Sequence, residues 1–135
     1  MKHIILSLAI ALPCGAQAQN FTTAAEVRPI LEATKASWIA IREYEGQDWL
    51  YFTQLLAWRC GISSVTYSTN GGPMQPVELA PCHEGTASPN ALTSDDPFPN
   101  PRFELGSLNT VAIGLVLDDD TTMDAAYERP QVLIP

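Results

Sequence analysis

His83 is the one histidine beyond the first eighteen residues, and Asp95 and Asp96 follow it in the same proline-rich stretch. A histidine beside carboxylates suits general acid–base work, because its ring titrates near neutrality and a carboxylate can orient it. With Ser88 or Ser94 as nucleophile, the set would form a hydrolase relay. Neither serine lies in the G-x-S-x-G turn that holds a hydroxyl up for attack. One histidine also falls short of a usual zinc site. The plainer reading of His83 is a loop residue beside a disulfide.

Asp118, Asp120, Thr122 and Asp124 present oxygens at alternate positions, which suits a Ca²⁺ ion. An EF-hand loop also needs Gly at its sixth position and a bidentate Glu at its twelfth. Met123 and Arg129 stand there instead. The competing reading is a polar hairpin turn in which aspartates favour tight backbone geometry. No metal or cofactor is expected, and Asp118, Asp120 and Asp124 are the candidate set should calcium stabilise the protein. Glu43, Glu45 and Asp48 make a third acidic group. Paired carboxylates can divide acid and base roles when their surroundings separate their pKa values, but at a hairpin tip these three read as a solvated face.

Aromatic residues crowd the first half: Trp38, Trp49, Tyr51, Phe52, Trp58 and Tyr67. Some must build the core. Trp49, Tyr51 and Trp58 cannot all point one way, so part of the set is expected outside it. These three, with His83, are the candidate ligand or partner surface. No glycine-rich phosphate loop follows a strand, so nucleotide binding has no support.

These residues need elements to hold them. Thr23-Ala24-Ala25-Glu26 fits a capping box. Val27, Ile30, Leu31, Thr34 and Trp38 then recur at helical steps, predicting a helix over 25–37. Pro29 predicts either a later start, nearer Arg28, or a kink. After Trp38 the period becomes two, Glu45-Gly46-Gln47 reads as a turn, and 49–58 reads as one strand covered on both faces. Ile62–Thr69 and Met74–Ala80 read as a hairpin about Asn70-Gly71-Gly72. A three-residue loop pairs positions whose numbers sum to 142, which sets Val65 opposite Val77 and Cys60 opposite Cys82. That register predicts a Cys60–Cys82 disulfide. Pro73, Pro76 and Pro81 place the returning strand at a sheet edge. Residues 83–102 read as a long loop covering the sheet. Phe103–Leu105, Thr110–Leu117, Met123–Arg129 and Val132–Ile134 complete the β pattern, with a turn at 118–122.

The compartment follows from the first residues. Lys2 and His3 precede the short apolar run Ile4–Leu12, and Ala16-Gln17-Ala18 gives the small-x-small pattern of a cleavage site. Residues 1–18 read as a signal peptide and 19–135 as one globular domain, periplasmic or secreted. No stretch after the leader is long and apolar enough for a membrane span. Beyond Lys2, six basic residues face fifteen acidic ones. Such a surface repels nucleic acid phosphate.

The expected fold is α+β: one N-terminal helix on an antiparallel meander of five to six strands with one disulfide. A small β-sandwich or barrel with a decorating helix is the rival. The expected function is an exported, non-enzymatic domain binding a protein, envelope component or small ligand. A hydrolase-like enzyme using the 83–102 loop and a calcium-stabilised module are the alternatives.

Overall fold

The computed structural model describes residues 20–135, so the predicted leader, 1–18, lies outside the described residues. Helix α1 runs Ala24–Ala33, and a 3-10 turn, Lys35–Ser37, follows it. The Thr23 hydroxyl accepts from the Glu26 N–H at 3.3 Å, the first half of a capping box. The Glu26 carboxylate reaches past Thr23 to the Phe21 N–H at 3.2 Å. Pro29 neither delays the start nor stops the helix. It lies on the exposed side, where its missing N–H leaves no buried acceptor unpaired. The helix ends at Thr34, whose hydroxyl bonds back to the Ile30 carbonyl at 2.7 Å.

Strands β1 (Ala40–Tyr44) and β2 (Gln47–Tyr51) form a hairpin that pairs Tyr44 with Gln47. Its two-residue turn has positive φ at both Glu45 (51°) and Gly46 (73°), the backbone that matches strand twist. The expected strand over 49–58 stops at Tyr51. Helix α2 (Thr53–Leu56) and a second 3-10 turn, Arg59–Gly61, replace the rest. Phe52, Leu55 and Leu56 are buried while Thr53 and Ala57 are exposed, so this half of the run is apolar at helical spacing.

That helical turn decides the sheet count. It carries the chain away from β2, so β3 (Ile62–Thr69) starts a second sheet. The first sheet has the order β5-β2-β1-β8 and the second β4-β3-β6-β7, with β4 Gln75–Pro76, β5 Arg102–Glu104, β6 Thr110–Leu117, β7 Thr122–Glu128 and β8 Leu133–Ile134. A short helix α3, Arg129–Val132, links β7 to β8, which joins β1 in parallel. The fold is α+β; among the described residues there is one disulfide, and the strands divide between two sheets of four in place of a single meander.

The predicted hairpin register is present. Thr66 pairs with Pro76, Tyr67 with Gln75, and the Val77 N–H donates to the Val65 carbonyl at 2.9 Å. Cys60 and Cys82 are bonded, their Cα atoms 4.9 Å apart. β4 is an edge strand, as its prolines require, and they shorten it to two residues. In β6, Val111, Ile113, Leu115 and Leu117 all point inward. They join Ile41 and Leu50 of the first sheet, Val27 and Leu31 of α1, and Trp38 in one apolar cluster. Helix α1 approaches the Arg59–Gly61 turn so closely that a Cβ on Gly61 would lie 2.4 Å from Val27 Cγ2 and 2.8 Å from the Thr23 carbonyl oxygen.

Candidate functional site

Residues paired across antiparallel strands share a face. Arg42 of β1 pairs with Trp49 of β2, and Trp49 pairs with Arg102 of β5. Tyr51 lies on the same face as Trp49, two residues along the strand, and Tyr44 lies there two residues beyond Arg42. The alternate residues Ile41 and Leu50 are fully buried, so the aromatic row faces outward. Tyr44 and Trp49 meet edge to face, 5.2 Å between ring centroids, and Trp49 and Tyr51 lie 6.3 Å apart. The Arg42 guanidinium lies 4.4 Å over the Tyr44 ring, and that of Arg102 lies 3.8 Å over Trp49. Each is a cation–π contact.

Two electrostatic features mark this face. Among the described residues neither Arg42 nor Arg102 has a carboxylate partner, whereas Arg28 pairs with Glu32 and Arg129 with Glu43 and Asp48. The indole N–H of Trp49 is buried and has no hydrogen-bond partner. A groove of about 510 Å³ beside the row is lined by Ala40, Arg42, Tyr51, Thr53 and Ile134.

The structure separates Trp58 and His83 from Trp49 and Tyr51. Trp58 packs edge to face on Phe21 at 5.1 Å and lines a recess with residues 87–91 of the long loop. Its indole N–H is also buried without a partner. His83 lies in the loop, where its Nε2 is 2.7 Å from an Asp96 carboxylate oxygen. Asp96 also accepts from the Thr93 N–H at 2.8 Å. The bond to His83 is the main reason its pKa falls below the ordinary carboxylate value. Among the described residues the His83 ring is bonded to the Asp96 carboxylate and to no serine hydroxyl.

Arg59 anchors that loop. It is buried, and its guanidinium donates to the carbonyls of Leu56, Ala80, Pro81, Asn90 and Ala91. Asn90 accepts from the Cys60 N–H at 2.9 Å and donates to the Phe21 carbonyl at 2.9 Å. The guanidinium of Arg59 is bonded to carbonyls, desolvation lowers its pKa, and the nearby Asp96 charge partly opposes that shift. The loop is therefore tied down at the disulfide end.

At the 118–121 turn, Asp118 accepts from the Ser63 hydroxyl at 3.1 Å. Asp120 takes a positive φ of 64°. Asp124 stands on β7 opposite Gly114. Asp119, outside the expected set, accepts from both the Thr121 N–H and its hydroxyl, at 3.1 and 2.5 Å. The tip behaves as an Asx turn. Among the described residues no three His, Cys, Asp or Glu side chains group to hold a metal ion.

Asp48 departs from its expected solvated setting. It is fully buried. Its carboxylate takes both arms of the Arg129 guanidinium, at 2.6 and 2.9 Å, and accepts from the Gly106 and Leu108 N–H groups at 3.0 Å each. Arg129 also bonds Glu43 at 2.6 Å. The Arg129 bonds hold the Asp48 carboxyl well below the usual carboxylate range and raise Arg129 in return. Every oxygen of Asp48 is occupied, so the pair is a structural clamp. One signal could have exposed it. Asp48 sits in phase with Leu50 along β2, on the inward face, and an inward carboxylate needs a partner.

A second cavity, of about 590 Å³, opens on the β6–β7 sheet; its single charged lining residue, Glu128, is engaged in the capping box of α3. No family model, no curated protein and no solved structure matches this chain.

Proposed function

We propose that this is an exported, periplasmic or secreted, non-enzymatic binding domain whose ligand surface is the outer face of the first sheet, centred on Trp49. One observation carries the reading: two arginines without acid partners lie on one face, each over an aromatic ring, in a chain of net charge −8. In such a chain an arginine is readily matched by a carboxylate. Leaving two unmatched beside each other costs favourable pairing that a ligand can restore. The disulfide suits an oxidising compartment. No helix among the described residues is long and apolar enough to cross a membrane.

A heteronuclear NMR screen of saccharides, organic acids and peptides tests this. Each tryptophan gives its own indole resonance. A ligand is expected to move the Trp49 indole and the amides of β1, β2 and β5, and Trp49→Ala is expected to abolish the response. Shifts centred on His83 and the 83–102 loop would overturn the reading.

A second reading has one observation behind it, the His83–Asp96 pair. It could act as a general base on water. Turnover of an ester or glycosidic substrate that is lost in His83→Ala would favour it; binding unchanged by that substitution favours the first reading.

A further inference from the structure

We propose that the occupant of this face is an acidic polysaccharide, a sugar chain bearing carboxylate or sulfate groups, laid over Tyr44, Trp49 and Tyr51 with its anions on Arg42 and Arg102. The proposal rests on reading this face as the binding surface.

The face is rich in donors. A guanidinium has five N–H groups and no acceptor, and the indole adds a donor that now lacks a partner. The ligand must therefore bring acceptors and negative charge. Its charges can also be spaced. Arg42, Trp49 and Arg102 follow one another across three adjacent strands. Two strand spacings separate the arginine backbones by about 10 Å. A chain with charges at intervals can engage both guanidinia while its uncharged part lies over the rings between them.

Between the two cations lies a platform of rings. A ring face carries the negative part of the aromatic quadrupole, so the weakly positive C–H face of a pyranose packs on it. The sugar hydroxyls can meet the tyrosine hydroxyls, and the face of Trp49 is freed for the sugar ring once Arg102 swings to an anion. The groove past Tyr51 to Ile134 extends the platform for a longer chain.

Other polyanions fit less well. Duplex DNA carries a charge about every 1.7 Å, and two arginines cannot offset its repulsion from a chain of net charge −8. An acidic peptide would gain most by adding a strand at a sheet edge, whereas these side chains stand on the face. Glu104 shares the face next to Gln47, which confines the anion to the Arg42–Trp49–Arg102 row.

Calorimetry with the mature, disulfide-bonded protein tests the proposal. The probes are polygalacturonate oligomers, a sulfated glycan, neutral dextran and poly-L-glutamate. Binding of an acidic glycan is expected, with carboxylate and sulfate arms deciding which anion is preferred. Arg42→Gln/Arg102→Gln should weaken it by at least about tenfold, the loss of one charge-assisted contact or more. Arg28→Gln, on α1, should leave it unchanged. Salt near 1 M, where the screening length is about 3 Å, should release the glycan. Thermal melts of each variant verify folding, and Arg42→Lys/Arg102→Lys should regain part of the affinity. Dextran or poly-L-glutamate moving the Trp49 indole while acidic glycans do not would overturn the ligand class and leave the face standing. Acidic glycan binding indifferent to Arg42→Gln/Arg102→Gln would overturn the face itself.

Discussion

Asp48 and Arg129 illustrate how much one buried pair can bear. The carboxylate meets two guanidinium arms and two backbone N–H groups with no solvent contact. Removing one partner leaves the other buried and unmatched. Asp48→Ala is therefore expected to lose about 3–5 kcal/mol in urea unfolding. The pH dependence has a defined sign. The folded pKa of Asp48 lies below its unfolded value, so its contribution is present above the ordinary carboxylate range and fades as pH falls through the folded value. Stability measured from pH 6 down to about pH 2 should fall, and Asp48→Asn should flatten part of that slope. Sequence alone placed Asp48 in water, because a carboxylate near a hairpin tip is ordinarily exposed. Its in-phase position with Leu50 was visible, but its partner, eighty-one positions away, was not. By contrast, Cys60 and Cys82 found each other through a nearby turn.

At the scale of elements, the hairpin after Gly61 was legible and the segment before it was not. Loop length fixes hairpin register, so the 70–72 turn named both the Val65–Val77 pairing and the disulfide. The loop closed by the bridge suggests that Cys60→Ser/Cys82→Ser costs about 3 kcal/mol, read as a lower midpoint in denaturant with a slope that is, if anything, steeper, since the unfolded chain expands without the bridge. The run 49–58 misled because a short apolar stretch satisfies strand and helix periods alike. Tertiary burial of Phe52, Leu55 and Leu56 chose the helix. Gly61 gives a sharper test. Any Cβ there meets Val27 and the Thr23 carbonyl, which is backbone and cannot swing aside. Gly61→Ala should push α1 from its seat and lower the melting temperature well beyond the effect of Gly46→Ala. At Gly46 there is open space, and only the positive φ is at stake.

For the whole molecule, charge and the long loop matter most. A net charge of −8 repels itself, so moderate salt should raise the melting temperature while weakening any ligand held by Arg42 and Arg102. Calorimetric melts and titrations in one salt series would show the two trends with opposite sign. The 83–102 loop was expected as a cover over the sheet. Its ties run to Arg59, Cys60 and Phe21, so it closes over Trp58 and the disulfide end. That placement splits the four candidate residues, leaving Trp49 and Tyr51 on the sheet face and His83 with Asp96. Sequence by itself determined the α+β class, the hairpin register, the disulfide and the edge position of the proline strand, because each depends on local period, turn length or a missing N–H. Tertiary structure alone decided the second sheet, the buried Asp48–Arg129 clamp and the arginine-capped aromatic face. Those depend on which distant segments meet, and short-range pattern carries no term for that.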